Sequence, residues 1–405
     1  MLWLAEWLGG YLNPYEPIFK LISFVVGPAV AMVAFVWNRW DRAELKAQAR
    51  ALGEAEERTR ATQETLNASR QKIQTSQEEL ERKGAEVERL RNDLHSITEG
   101  SQELWKLRPA KPFTEYLTWL RDPAGARTIT FGNLKGGVGK TTLAANFAAY
   151  LSSTRKMPVL LVDLDYQGSL SNMLLLAIEK EEVESRVDLL FDENAGLATV
   201  DRAIIQLMPI LPQTWLAPAN YTFAQLENRL LLRWLLQEDG GLHVRFRLAN
   251  ALLRPEVRRR YGAIIFDMPP RMTLGSVNAV VASHYFVVPT VLDTLSAEAV
   301  RQFLVNMRAI KNDLQLDIDL AGIVGVMTRQ KNLSSNEARA LEAARDGGAA
   351  WQEDVDFVFP TTLPRRVDIA NAAGEDIAYF GNNNEGPLKA LFDPLFDEIY
   401  NAIWK

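Results

Sequence analysis

The sequence predicts an α/β fold, a doubly wound and mostly parallel sheet, preceded by a transmembrane helix and a long helical coiled-coil stalk. Two continuous apolar runs, VLLVD at 159–163 and AIIFD at 263–267, are typical of parallel strands buried on both faces. An uncharged stretch lies near the N-terminus, from Leu21 to Trp37. A polar, proline-free stretch with a seven-residue repeat follows it. The chain is therefore expected to contain three unlike parts.

The overall composition excludes several classes of protein. The chain has 405 residues, of which 47% are hydrophobic, so full-length disorder is excluded. Its 45 basic and 51 acidic side chains give a net charge of −6, which provides no global attraction to nucleic acid. The absence of cysteine excludes disulfides, thiolate zinc sites and cysteine nucleophiles. Only three histidines occur, widely separated in the sequence, and they suggest no metal site.

Residues 17–40 are predicted to form a transmembrane helix, since the uncharged stretch and the residues before it reach the length that a bilayer requires. The alternatives are a buried core helix and a secretory signal. The first basic residue of the chain is Lys20, which argues against a signal peptide. Further basic residues follow the uncharged stretch that ends at Trp37: Arg39, Arg42 and Lys46. The positive-inside rule then predicts a cytoplasmic C-terminal part. Residues 1–16 are predicted to be an interfacial segment, with a frayed terminus as the alternative.

Residues 41–98 are predicted to form a coiled-coil stalk, with a lone solvated helix as the alternative. Apolar residues dominate one heptad row, whereas the companion row is weak except in its last two positions. The strong row consists of Leu45, Leu52, Thr59, Leu66, Ile73, Leu80, Val87 and Leu94. Residues 99–125 are predicted to be a proline-rich linker whose aromatic residues dock onto the next domain. These are Trp105, Phe113, Tyr116 and Trp119.

The remaining residues, 126–405, are predicted to form one domain with a phosphate-binding loop. A β-type run, Thr128 to Phe131, leads into GNLKGGVGKTT and then into a helical pattern. Glycines in the loop let backbone N–H groups surround phosphate oxygens at a helix N-terminus. Lys140 is expected to reach the β- and γ-phosphates, and the Thr141 hydroxyl to coordinate Mg²⁺. The match is to the deviant form K-G-G-x-G-K-[ST]; the alternative is an ordinary glycine-rich turn.

The segment KGGVGKTT at 135–142 resembles the deviant Walker A loop of the ParA/MinD family of ATPases. Four further segments resemble motifs of that family in the same order: 159–169, 261–270, 286–290 and 363–372. The resemblance covers most of Thr128 to Lys405. The chain departs from the family pattern at Tyr166, which replaces the usual proline, and in its N-terminal membrane segment. The Leu-rich stretch 191–253 is expected to be helical, and its role is not assigned.

The resemblance implies ATP and Mg²⁺ as cofactors and assigns roles to individual residues. The implied catalytic residues are Lys135, Lys140 and Asp165. Here Asp165 positions the attacking water, and Lys135 reaches the phosphates of a partner subunit. The implied nucleotide contacts are Gly136, Gly137, Val138, Gly139, Lys140, Thr141, Thr142, Met327 and Pro364. The implied metal-site residues are Thr141, Asp163 and Asp267. For Asp163, a simple strand-end cap is the alternative.

We expect a membrane-anchored, ParA/MinD-like ATPase of the bacterial inner membrane that acts as a nucleotide-dependent dimerisation switch. It would form a homodimer through the ATPase domain, and through the stalk as well if the stalk pairs, and it would recruit or position an unknown partner protein. One alternative is an ATP-dependent DNA tether, for which the basic run Arg254–Arg260 is a candidate surface; a solvated helix face is the other interpretation of that run. Another alternative is a polysaccharide-export type tyrosine autokinase, with Tyr379 and Tyr400 as its tail tyrosines.

Overall fold

The computed structural model describes residues 42–98, 110–180, 184–236, 241–329, 333–372, 377–381 and 387–404. The predicted interfacial segment and transmembrane helix, residues 1–40, lie outside the described residues, as does Trp105. Among the described residues, no helix combines the length and the apolar character needed to cross a membrane. The chain divides into two compact units, residues 1–98 and 99–405.

The described residues of the first unit form one helix, α1, from Arg42 to Thr98. The prediction of a single long helix is thus confirmed. Leu80 and Val87 of the strong heptad row remain 40% and 47% exposed on this helix. Since a paired seam would cover these side chains, coiled-coil pairing stays a prediction.

The second unit is built on an eight-stranded sheet with the order β3-β4-β2-β5-β1-β6-β7-β8. Neighbouring strands are parallel except for the pair β3 and β4. The strands are β1 Arg127–Phe131, β2 Val159–Asp163, β3 Ile205–Gln206, β4 Thr214–Ala217, β5 Ala263–Asp267, β6 Tyr285–Val291, β7 Asp319–Thr328 and β8 Leu363–Pro364. The predicted strands 159–163 and 263–267 are both present and fully buried.

Helices cover both faces of this sheet. They are α2 Tyr116–Leu120, α3 Lys140–Ser153, α4 Ser169–Ala177, α5 Leu197–Ala203, α6 Tyr221–Leu235, α7 Arg247–Leu252, α8 Pro255–Arg258, α9 Leu274–Val281, α10 Thr294–Asp313, α11 Ser335–Gly348, α12 Val367–Ala372 and α13 Pro387–Trp404. Consecutive residues of one strand enter different apolar clusters: Ile264 of β5 belongs to one and Ile265 to the other. The prediction of a doubly wound parallel sheet is therefore confirmed.

The end of the predicted linker docks onto the amino ends of the central strands. Tyr116 of α2 is fully buried, and its hydroxyl donates to the Val281 carbonyl at 2.7 Å. The guanidinium of Arg258, 1% exposed, donates to the carbonyls of Ala126 at 3.0 Å, of Leu120 at 2.9 Å, of Asp122 at 2.7 Å and of Trp119. The interpretation of the arginine run as a solvated helix face is therefore wrong for Arg258.

The stretch 191–253 is not helical throughout, which corrects the prediction. It contributes β3 and β4 to one edge of the sheet. β4 has only four residues, TWLA, and lies between Pro212 and Pro218. So short a run carries no periodic signal, and its pairing with β2 supplies the backbone hydrogen bonds that make it a strand.

Candidate nucleotide-binding site

The loop between β1 and α3 forms a cradle of backbone groups. Gly137 and Gly139 have φ values of 71° and 78°, in the left-handed region that glycine adopts without strain. A Cβ atom built on either glycine would meet no other atom within 4 Å, so the space beside the loop is open. The N-terminus of α3 follows directly, and Gly139 provides no side-chain cap for its N–H groups. An anion such as a phosphate therefore fits this cradle.

Lys140 is the first residue of α3 and is only 7% exposed. Its ammonium group donates to the Lys135 carbonyl at 3.0 Å, which draws the side chain back over the loop. Burial lowers the pKa of Lys140, whereas the carboxylates of Asp267 and Asp165 act to raise it. The loop thus holds a cation next to two acidic groups.

Thr141 and Asp267 meet where β5 ends. The Thr141 hydroxyl donates to Oδ2 of Asp267 at 2.7 Å. Oδ1 of Asp267 is buried and has no hydrogen-bond partner among the described residues. Burial, together with the nearby charge of Asp163, raises the pKa of Asp267 well above its usual value. A cation bound here would satisfy this oxygen and stabilise the ionised carboxylate.

These two residues fit the requirements of Mg²⁺. Within the parts of the chain that the structure describes, no group of three or more His, Cys, Asp or Glu side chains could hold a metal ion alone. Mg²⁺ in nucleotide sites is held by one or two protein oxygens together with waters and substrate phosphates. A hydroxyl and a carboxylate beside a phosphate cradle are therefore a sufficient protein contribution.

Asp163 ends β2 directly opposite Asp267 of β5. Its Oδ1 accepts from the Asp165 N–H at 3.0 Å, and its Oδ2 accepts from the Ser171 N–H at 2.9 Å and hydroxyl at 2.6 Å. Burial raises the pKa of Asp163 to about 7. Both oxygens are used to shape the loop after β2, and a role for Asp163 in the metal region stays a prediction.

Asp165 lies in that loop and is half-buried. Its Oδ1 accepts from the Gln167 N–H at 3.0 Å. At Gly168, with φ of 64°, a Cβ would lie 2.8 Å from the Ala219 carbonyl, so this position tolerates no side chain. The loop thus packs closely against Ala219, and the Asp165 carboxylate is close enough to Lys140 to affect the pKa of Lys140.

Lys135 contacts residues of its own chain in this structure. Its ammonium group donates to the Ser296 hydroxyl at 2.5 Å and lies 3.4 Å from Oδ2 of Asp293. Both partners lie at the N-terminus of α10. The Lys135 N–H donates to Oδ1 of Asn133. Asn133 is fully buried, and its Nδ2 donates to the Pro289 carbonyl. The reach of Lys135 into a partner subunit stays a prediction.

The last two of the implied nucleotide contacts, Met327 and Pro364, lie on the neighbouring strands β7 and β8. Met327 is near the end of β7, 41% exposed, with φ of 57°. Pro364 of β8 pairs with Thr328, and the Arg365 N–H donates to the Thr328 carbonyl at 2.7 Å. Unusual backbone dihedrals in an exposed residue occur at ligand sites. Contact of these residues with adenine stays a prediction.

Several residues that shape the site were not predicted. Three of them contact the loop that carries Lys135 or support that contact: Asn133, Asp293 and Ser296. The fourth, Ser171, donates to Asp163, at the start of the loop that carries Asp165. Only Asn133 had a usable signal, because Asn two residues before a turn residue commonly accepts from its N–H. Asp293 and Ser296 are brought in by the fold from a distant part of the chain, whereas Ser171 lies eight positions after Asp163.

Comparison with known proteins agrees with this geometry. A family model described as an AAA domain matches residues 126–320. The chromosome-partitioning ATPase Soj of Thermus thermophilus is 30% identical over 266 residues, covering 65% of this chain and 92% of Soj. The cell division protein PomZ of Myxococcus xanthus is 27% identical over 307 residues, covering 74% of this chain and 85% of PomZ. The solved structure of apo McdA from Cyanothece has a TM-score of 0.55 at 18% identity, covering 68% of this chain and 99% of McdA, and supports the same fold. The chain belongs to the ParA/Soj family of P-loop ATPases.

Proposed function

We propose that this protein is a membrane-anchored ATPase that uses ATP binding to dimerise and to recruit or position a partner protein, and that ATP hydrolysis resets it. One observation carries the proposal: Lys140, Thr141 and Asp267 meet beside an open backbone cradle, with Asp165 on the adjacent loop. Family membership adds that the relatives include PomZ, a cell division protein.

The proposed chemistry follows from where these groups lie. ATP with Mg²⁺ supplies the phosphoryl group and neutralises its developing charge. The loop N–H groups and Lys140 hold the phosphates, while Thr141 and Asp267 hold the cation. Asp165 orients the attacking water through its carboxylate. Lys135 leaves Asp293 and Ser296 and adds positive charge at the transferred phosphate of a second copy, as an arginine finger does.

The proposed location is the bacterial inner membrane, with one span at residues 17–40 and the ATPase domain in the cytoplasm. The support is the uncharged stretch followed by basic residues in the sequence. The helix α1 would act as the stalk between the span and the domain, and pairing of two such helices would add a second contact between copies.

DNA tethering is the second candidate, since relatives such as Soj of Thermus thermophilus are chromosome-partitioning ATPases. The basic run offers it little support. Arg258 is buried, Arg259 pairs with Asp122 at 2.8 Å, and Arg260 pairs with Asp201. Charges already paired within the chain have less to gain from phosphates. Salt-sensitive DNA binding in the presence of ATP would favour this candidate.

The tyrosine autokinase has less support still. Tyr379 is 1% exposed, and its hydroxyl donates to Asp393 at 2.6 Å. The ring of Tyr400 stacks on Trp404, and the guanidinium carbon of Arg155 lies 4.1 Å from the centroid of the Tyr400 ring. Neither tyrosine lies on a loose tail that could enter another subunit's active site.

The experiment that tests the proposal measures dimerisation of the full chain in mild detergent by light scattering, with ATP, with ADP and without nucleotide. Asp165→Ala is expected to bind ATP and to accumulate as a dimer because hydrolysis is blocked. Lys140→Ala is expected to bind at least tenfold less ATP and to remain a monomer under all three conditions. If Asp165→Ala has the same mass with ATP as with ADP, the switch is refuted.

A further inference from the structure

The helix α6 lies in the stretch whose role the sequence left unassigned, and this stretch contacts both Ser171 of α4, after β2, and the N-terminus of α9, after β5. The first contact precedes the helix: the Ala219 N–H donates to the Ser171 hydroxyl at 2.9 Å, and this hydroxyl donates to Asp163. The second lies within it: Oε1 of Glu227 accepts from the Gly275 N–H at 2.6 Å. The segment from Ala219 to Glu227 therefore contacts both α4, which follows β2, and the start of α9, which follows β5.

Glu227 is an unusual residue for its position. It is a carboxylate on the inner face of a Leu-rich helix and is only 8% exposed. Buried carboxylates are rare unless a donor compensates their desolvation. Here the compensating donors are the Gly275 N–H and the Thr273 side chain, both at the N-terminus of α9. The charge also faces the positive end of the α9 dipole.

The position of α9 bears directly on Asp165. A Cβ built on Gly275 would lie 3.1 Å from Oε1 of Glu227 and 3.2 Å from the Leu164 carbonyl. The start of α9 thus lies between Glu227 and Leu164, the residue immediately before Asp165. Leu164 is tied in turn to the neighbouring strand, because its N–H donates to the Asp267 carbonyl at 3.1 Å.

We propose that Glu227 is a positioning residue for ATP hydrolysis: by accepting from the Gly275 N–H it holds α9 against Leu164 and so fixes the Asp165 carboxylate for the attacking water. This inference rests on the proposed ATPase function. It gives α6 a role in turnover, separate from nucleotide binding by the loop between β1 and α3. Loss of the contact lowers kcat and leaves ATP affinity unchanged, because no residue of the phosphate cradle moves.

The test compares Glu227→Met, Glu227→Gln and Gly275→Ala in the full chain purified in mild detergent. Met matches the length of Glu and removes the acceptor, whereas Gln keeps a carbonyl oxygen at the same place. In Gly275→Ala, the added methyl group separates α9 from Glu227 and Leu164. The readouts are kcat, KM and the affinity for a fluorescent ATP analogue. Turnover is normalised to the number of nucleotide-binding sites, so that unfolded protein does not count.

We expect kcat to fall about tenfold or more in Glu227→Met and in Gly275→Ala, with KM and nucleotide affinity within about threefold of wild type. Glu227→Gln should restore kcat to within about threefold, since the hydrogen bond is retained. The inference is overturned if Glu227→Met keeps wild-type kcat, if kcat and affinity fall together, or if Glu227→Gln is as slow as Glu227→Met.

Lys140→Ala separates this failure from failure of the proposed function. Wild-type turnover no faster than that of Lys140→Ala refutes the ATPase itself, and the role of Glu227 with it. Wild-type turnover well above Lys140→Ala, with Glu227→Met equal to wild type, refutes only the role of Glu227.

Discussion

His284 shows how burial fixes the protonation state of a single residue at the joint between linker and sheet. Its Nδ1 accepts from the Thr128 N–H at 3.1 Å, so Nε2 carries the proton and donates to the Leu120 carbonyl at 2.6 Å. Burial, with the nearby charge of Arg258, lowers the pKa of His284 to about 3. The folded state therefore binds fewer protons than the unfolded state between about pH 3 and pH 6.5.

We predict that His284 lowers the free energy of unfolding by about 2 kcal/mol at pH 5, against the opposite contributions of Asp163 and Asp267, whose raised pKa values stabilise the folded state as the pH falls. This contribution is destabilising because, between about pH 3 and pH 6.5, the histidine binds a proton in the unfolded state and does not bind one in the folded state. Chemical denaturation of wild type and of His284→Gln at pH 7 and pH 5 measures the effect. Between pH 7 and pH 5, the free energy of unfolding of His284→Gln should shift by about 2 kcal/mol in the stabilising direction relative to the change in wild type. An equal change in both proteins would contradict the assignment.

Lys135 has a contact in the single chain that competes with its proposed role. If it acts on the phosphates of a second copy, Lys135→Ala should lower turnover about a hundredfold or more and leave ATP affinity within about threefold. Asp293→Asn is the matched control, because Asn still accepts from the Ser296 N–H at the start of α10 but no longer holds the ammonium group by charge. This control should hydrolyse ATP at least as fast as wild type. Measurements of steady-state turnover and of nucleotide affinity decide whether Lys135 acts on the phosphates of a second copy or only contacts Asp293 and Ser296 of its own chain.

At the scale of secondary-structure elements, Arg258 joins α2 and the start of β1 to the domain. A Cβ on Gly125 would lie 2.3 Å from Nε of Arg258, so the backbone at Gly125 passes directly over the guanidinium. Arg258→Met removes the hydrogen bonds that the guanidinium donates to four carbonyls, although the Leu120 carbonyl keeps its hydrogen bond from His284 and the Asp122 carbonyl keeps the one from the Gly125 N–H. We expect a loss of about 3 kcal/mol or more in the free energy of unfolding.

Arg259→Met is the natural control for this prediction. The side chain of Arg259 is 58% exposed, and its pair with Asp122 lies at the surface. Such pairs contribute about 0–1 kcal/mol. Urea denaturation of both variants should therefore give clearly different losses. Equal losses would mean that the four carbonyl contacts of Arg258 add no more than a surface ion pair does.

These elements also show what a sequence can and cannot predict. Strands β2 and β5 and the loop before α3 were predictable because continuous apolar runs and a spaced glycine motif are local signals. The burial of Arg258 was not, because a run of arginines has the same composition on a solvated helix as around a hidden guanidinium. The burial of Glu227 was not predictable either, because its partner, Gly275, is 48 positions away along the chain.

At the scale of the whole molecule, the proposed membrane span would change how dimerisation depends on concentration. Copies free in solution pair less as they are diluted. Copies held in a membrane meet at a surface density that is set by the protein-to-lipid ratio, so dilution of the vesicles leaves their encounter rate unchanged. Since turnover is proposed to require a second copy, the activity per chain reports this difference.

We predict that the full chain in anionic vesicles keeps its ATPase activity per molecule over a hundredfold dilution at a fixed protein-to-lipid ratio. A variant that lacks residues 1–40 should lose activity in proportion to dilution once its dimer dissociates. Lowering the protein-to-lipid ratio should reduce the activity of the full chain and leave the shortened chain unaffected. If both proteins lose activity equally on dilution, the N-terminal segment does not confine the protein to the membrane, and dimerisation depends on the bulk concentration alone.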